Sequence, residues 1–166
     1  MELVVVMALL GVLAVLAAPN MSALLTARRL EDAAQRLAGD MALARNEAVK
    51  RNAAVLLCPD ASITTGQCAP PTATQGWAKG WRVCVDRDND GACDSGTTSD
   101  PNPIRSEGVL NANLSVNGPL SSLRFNPSGT ITATVYTAFE ASSSVSPGLL
   151  WRVRYAPSGA MSVRKG

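Results

Sequence analysis

Residues 2–19 read ELVVVMALLGVLAVLAAP, a lone carboxylate at the edge of an unbroken run of apolar and small residues that closes on Pro19. A cleaved secretory signal has a basic start, a shorter apolar run and a small-residue cleavage site. Here an acid occupies the place of the basic start, and the segment leads into further helical pattern instead of a loop. The run falls slightly short of the roughly 20 residues of a full bilayer crossing, and a few more residues upstream would complete one. These features point to a helix that resides first in a bilayer and later in the core of a protein filament. An unpaired carboxylate is costly to bury at the apolar end of a helix. Glu2 therefore either meets a cation, such as a free N-terminal amine on a neighbouring subunit, or lies among lipid headgroups. Position alone leaves both readings open.

Pro19 is expected to kink or interrupt the helix. Helical character resumes at Ser22, with Leu24, Leu25, Leu30, Ala34, Leu37, Met41, Ala44 and Val49 recurring at three- and four-residue steps. Arg28, Arg29, Glu31, Asp32, Gln35, Arg36, Asp40, Arg45, Glu47, Lys50 and Arg51 lie between them, which makes the stretch amphipathic. Asp32 and Arg36 form an acid-before-base pair one turn apart.

The pattern changes at Asn52. Residues 54–58 and 80–85 read as strands, separated by a loop rich in Pro, Thr, Ser and Gly. Residues 86–103 form a long acidic turn region. Later strand candidates are 122–126, 130–139, 149–155 and 160–164. Asn126-Pro127-Ser128-Gly129 and Ala156-Pro157-Ser158-Gly159 are near-copies that read as turns between antiparallel strands. A long helix followed by a run of strands gives the α+β class, with the amphipathic half of the helix packed on a sheet. The expected division is an apolar transmembrane or filament-core segment, 1–27, and a globular part, 28–166. The globular part comprises the amphipathic helix half, 28–52, and a β-rich domain, 53–166.

The chain has 166 residues, a net charge of +2 and no histidine. The missing histidine removes Ser-His-Asp and Cys-His nucleophiles and the common His metal sites. No convergent carboxylate pair stands outside the acidic turn, so no enzyme is expected and no cofactor is implied. Cys58, Cys68, Cys84 and Cys93 contain no C-x-x-C pair, which argues against a zinc ribbon. An even cysteine count behind an export-type segment reads as two disulfides. Local pairing, Cys58–Cys68 and Cys84–Cys93, is preferred, with Cys58–Cys84 across adjacent strands as its main rival.

The acidic stretch places Asp86, Asp88, Asp90 and Asp94 around Gly91, matching the first half of a calcium loop. Thr97 stands at the twelfth position, where a bidentate carboxylate belongs, so a solvated turn is the preferred reading and no metal is assigned. At the C-terminus Arg152 and Arg154 share one strand face, and Arg164 and Lys165 are expected to join them across a hairpin. Such a cluster can neutralise phosphates, or face an acidic neighbour subunit.

The opening segment resembles the N-terminus of type IV pilins and type II secretion pseudopilins. The stretches 29–52, Gly80-Trp81-Arg82-Val83, 86–91 and 124–129 resemble the GspH/FimT branch, which includes FimU-like minor pilins. The resemblance covers most of the chain. It implies the type IV pilin fold, with the long helix bent near Pro19. Glu2 would pair with a neighbour's N-terminal amine during assembly. A prepilin peptidase would cut after a Gly and leave a methylated Phe as first residue; neither stands at the start of this sequence, so the chain is expected to begin three residues inside the mature protein. The implied function is that of a minor pilin in a tip or priming complex. The implied partners are other pilin subunits, inner-membrane assembly machinery and the membrane itself. Localisation would run from the inner membrane, with the globular domain periplasmic, to the pilus surface. The alternatives are a minor pseudopilin of type II secretion and a DNA-binding uptake pilin. FimT-like pilins that bind DNA carry Gly-Arg-x-Arg near the C-terminus; here the matching turn reads Gly159-Ala160-Met161-Ser162, without the first arginine.

Overall fold

The computed structural model describes residues 2–59, 68, 77–97, 99–118, 122–132 and 137–166. Helix α1 spans Glu2–Arg51, 50 residues. It passes through Pro19 without a break, so the expected interruption is absent. A proline removes a single N–H from the ladder, and the long helical stretches on both sides carry the helix across it. Leu30, Ala34, Leu37, Met41, Ala44 and Ala48 form its buried stripe. The alanines let the backbone approach the strands closely. The helix ends where Asn52 turns to φ 49°. There the Ala53 amide bonds the Ala48 carbonyl at 3.3 Å and the Asn52 amide bonds the Val49 carbonyl at 3.4 Å. This is a Schellman closure with Asn in the left-handed position, and Lys50 and Arg51 sit in the last turn.

Among the described residues, eight strands follow: β1 Ala54–Pro59, β2 Trp81–Asp86, β3 Arg105–Glu107, β4 Leu114–Asn117, β5 Leu123–Phe125, β6 Thr137–Ser143, β7 Leu150–Tyr155 and β8 Met161–Lys165. They form two four-stranded antiparallel sheets, β3-β2-β1-β5 and β4-β6-β7-β8. A bridge between Phe125 and Ile131 links the end of the first sheet toward the second. The expectation of one sheet thus becomes two, both packed against α1. Strands β3 and β4 were not expected. Of the strand expected over 130–139, β6 covers the end and runs on to Ser143; residues 133–136 lie outside those described.

Alternation sorts the first sheet into two faces. Val55, Leu57, Trp81, Val83, Val85, Leu123 and Phe125 join the helix in the core. Leu56, Cys58, Arg82, Cys84, Asp86 and Arg124 occupy the opposite face. That face is stapled by Cys58–Cys68 and Cys84–Cys93, with Cα separations of 5.4 and 5.5 Å. The two bridges touch, Cys68 Sγ lying 3.9 Å from Cys93 Sγ. In the second sheet Phe139 stands edge-on to Trp77, with ring centroids 4.6 Å apart.

The two Pro-Ser-Gly turns meet each other. Gly129 and Gly159 take φ of 76° and 78°, and the Ile131 amide bonds the Pro157 carbonyl at 2.8 Å. Arg45 on the helix donates its Nε to the Gly129 carbonyl at 3.0 Å. The repeated motif is therefore a packing device that seats both turns on one arginine.

Candidate assembly helix and surface sites

The two halves of α1 have different surroundings. From Leu30 on, the stripe Leu30, Ala34, Leu37, Met41, Ala44 and Ala48 is buried under the sheets, whereas Val49, expected on it, is 54% exposed. Ahead of the stripe, Leu3, Val4, Val5, Val6, Met7 and Leu9 are all more than half exposed, as are Met21 and Leu24. A row of aliphatic side chains this long, uncovered by its own domain, is far outside what an isolated soluble monomer displays. Glu2 and Pro19 lie within this half; their side chains are outside those described. Among the described residues, no helix is long and apolar enough to cross a membrane.

The buried half is held by polar contacts as well as by packing. Asp40 sits on the apolar stripe and is only 3% exposed. It accepts the Trp81 indole N–H at 2.7 Å and pairs with Arg105 Nε at 2.9 Å, so one carboxylate ties the helix to β2 and β3. Burial pushes its carboxyl above the ordinary value, opposed by the Trp81 hydrogen bond and the Arg105 charge. One turn earlier, Arg36 reaches Glu107 at 2.8 Å and Asp32 at 2.7 Å. At the helix end, Arg51 pairs with Glu47 at 2.5 Å and also with Asp100. Arg87 holds Asp100 from the other side. Hydrogen bonding to Arg51 holds both Glu47 and Asp100 below the usual carboxylate values. The sequence pattern placed Asp40 among the polar residues between the apolar positions. Its position, three residues after Leu37 and beside Met41 on the stripe, was the available signal.

The acidic region after β2 is tied down along its length. Asn102 Nδ2 donates to the Val85 and Asp94 carbonyls at 3.0 and 2.8 Å, and the Asp94 amide bonds the Val85 carbonyl at 3.0 Å. Within it, Asp86, Asp88 and Asp94 each bring a carboxylate oxygen within 4.8 Å of the other two. Asp90 is not in that group; its Oδ1 accepts the Ala92 amide at 2.8 Å.

The basic C-terminal cluster is smaller than expected. Arg152 lies directly opposite Arg164 in the β7–β8 ladder, and Arg154 opposite Ser162, so these side chains share the outer face of the second sheet. Lys165 lies opposite Trp151, which is partly buried against the core. Lys165 therefore belongs to the other side of the pleat and does not join the three arginines, because a one-residue step reverses the face. Glu140 stands beside Arg152 at 2.9 Å and offsets part of the charge.

The family model of the type II transport protein GspH matches residues 33–159. No curated protein matches the sequence. Among solved structures, the type IV minor pilin FimU of Pseudomonas aeruginosa superposes with a TM-score of 0.58 at 18% identity, covering 82% of this chain and 89% of that one. The minor pseudopilin EpsH of the Vibrio cholerae type 2 secretion system gives a TM-score of 0.57 at 13% identity, covering 82% and 97%. The family match spans most of the chain, and both superpositions take in the helix-on-sheet arrangement; the chain belongs to the GspH family and has the fold shared by FimU and EpsH.

Proposed function

We propose that this chain is a minor pilin or pseudopilin, a non-catalytic subunit that enters a type IV pilus, in the tip or priming complex. The observation that carries this reading is the division of α1. One half is cemented to two sheets, and the other presents aliphatic side chains that its own domain leaves uncovered. Before assembly the exposed half sits in the inner membrane, with the sheet domain in the periplasm. During assembly the same side chains pack against helices of sister subunits, and Glu2 meets a neighbour's terminal amine. The small residues Ala8, Gly11 and Ala14 suit close helix approach.

The test is fractionation of filaments sheared from cells that carry a tagged chain. The chain is expected in the filament fraction, while Glu2→Ala leaves it folded in the membrane fraction. Normal entry of Glu2→Ala into filaments would overturn the role given to Glu2. Deletion of the gene separates the two filament types: loss of surface pili supports the pilus reading, and loss of protein secretion with intact pili assigns the chain to a type II secretion pseudopilus. The DNA-uptake reading has less support, since Glu140 pairs with Arg152 and Lys165 lies off the arginine face.

A further inference from the structure

The Asp-rich turn after β2 holds an observation that a solvated loop does not explain. Asp86 is fully buried. Its Oδ2 is engaged by Arg124 at 3.2 Å and by the Gly91 amide at 3.3 Å. Its Oδ1 is also buried and has no hydrogen-bond partner among the described residues. A buried carboxylate oxygen without a partner is costly, and native structures rarely keep one without a reason. Asn89 and Gly91 take φ of 64° and 85° and curl the chain back, so that Asp88 and Asp94 close on the carboxylate of Asp86. Of the cations at hand, Arg124 contacts Asp86, and Arg87 contacts Asp94 at 3.2 Å and Asp100. No side-chain cation pairs with Asp88 among the ion pairs of the described residues.

We propose that Asp86, Asp88 and Asp94 form a calcium site, with the buried Asp86 carboxylate as its inner ligand. Three carboxylate oxygens within 4.8 Å of one another on an irregular loop suit calcium, which accepts a flexible set of about six to eight oxygen ligands, better than magnesium, which demands near-ideal octahedral geometry and keeps most of its waters. Thr97 replaces the bidentate carboxylate of a high-affinity loop. That places the site in the weak class of extracellular modules, with Kd of about 0.1–1 mM. Ion binding would exchange the Arg87–Asp94 contact for a metal–carboxylate contact, leaving Arg87 with Asp100, which it already holds. Because Asp100 also pairs with Arg51 at the end of α1, occupancy of the loop would be felt at the helix–sheet junction.

The experiment is equilibrium dialysis of the full chain in detergent against radioactive calcium, with thermal unfolding measured alongside. One saturable site with Kd of about 0.1–1 mM is expected. Asp88→Asn and Asp94→Asn should each weaken it at least about tenfold, and Asp88→Asn should leave the unfolding midpoint in chelator unchanged. Equimolar magnesium should compete poorly. Asp88 is exposed, so Asp88→Asn decides the matter if Asp94→Asn impairs folding. The proposal is overturned by no binding up to about 10 mM calcium, an order of magnitude above the expected range. It is equally overturned if both variants bind as the parent does, or if magnesium binds equally well.

Discussion

Replacing Asp40 with Ala tests whether one buried carboxylate holds the helix to the first sheet. The side chain is 3% exposed, Trp81 is fully buried, and the indole N–H donates to Asp40 at 2.7 Å. Truncation removes a hydrogen bond to an ionised acceptor, contributing about 1.5–3 kcal/mol, and strands a buried N–H at a cost of about 1–3 kcal/mol. Part of this is offset, because the variant no longer buries a carboxylate and Arg105, about half exposed, returns to water. The expected net loss is about 2–3 kcal/mol. Asp40→Asn keeps an oxygen for Trp81 and should cost no more than about 1 kcal/mol. The pH dependence has a definite sign. Burial raises the folded-state value of Asp40 above its ordinary 3.8, so between the two values the folded form binds more protons than the unfolded one. The contribution of Asp40 to stability therefore falls as pH rises through that window, and in Asp40→Ala this slope disappears. Urea unfolding of the full chain in detergent, followed by tryptophan fluorescence between pH 4 and 8, a range of about four units around the carboxylate values, reads both effects. A loss under about 0.5 kcal/mol, or an Asp40→Asn variant as unstable as Asp40→Ala, would refute the reasoning.

Three further outcomes follow from the contacts. Gly159→Ala brings a Cβ to 2.3 Å from the Gly129 carbonyl oxygen at φ +78°, whereas Gly148→Ala, at φ +93°, meets nothing within 4 Å. Both incur the left-handed backbone penalty of about 1 kcal/mol, and thermal unfolding should show Gly159→Ala as clearly the worse. The Arg51 contacts lower the values of Glu47 and Asp100 below their ordinary 4.5 and 3.8. Their support is present above those ordinary values and lost as pH falls through the depressed ones, so acid titration should find Arg51→Gln with a flatter loss of stability than the parent. Replacing Cys84 and Cys93 together with serine should lower stability by about 2–4 kcal/mol, measured by denaturant unfolding under non-reducing conditions.

Legibility in the sequence tracked how local the cause was. The buried stripe of α1, its end at Asn52, and β1, β2, β7 and β8 follow from periodicity and turn residues within a few positions. Strand β3 reads Arg105-Ser106-Glu107, with no apolar residue; it is a strand because β2 offers it a free edge. Strand β4 alternates Leu114 and Val116, but over only four residues. Strand β6 ends in Glu140, Ala141, Ser142 and Ser143, residues of low strand propensity that are held by pairing on both sides. Asp40 and Asp86 are held by partners 41 and 38 positions away, Trp81 and Arg124; the place of Asp40 on the apolar stripe hints at its burial, but nothing near either acid names its partner. Lys165 missed the arginine face because the register, invisible in composition, puts it opposite Trp151. The apolar half of α1 was the clearest signal of all: sixteen consecutive apolar or small residues offer no polar face, and Leu3, Val4, Val5, Val6, Met7 and Leu9 among them are exposed.

The central claim is that this uncovered half is an assembly surface, and crosslinking in living cells tests it most directly. A photoreactive amino acid at Val6 or Leu9, both more than half exposed, should crosslink the chain to the N-terminal helix of another pilin-type subunit in sheared filaments. The same group at Arg154, on the outer face of the second sheet, should give no helix–helix product. Filaments that contain the chain but yield no crosslink from Val6 or Leu9 to a sister helix would contradict the account.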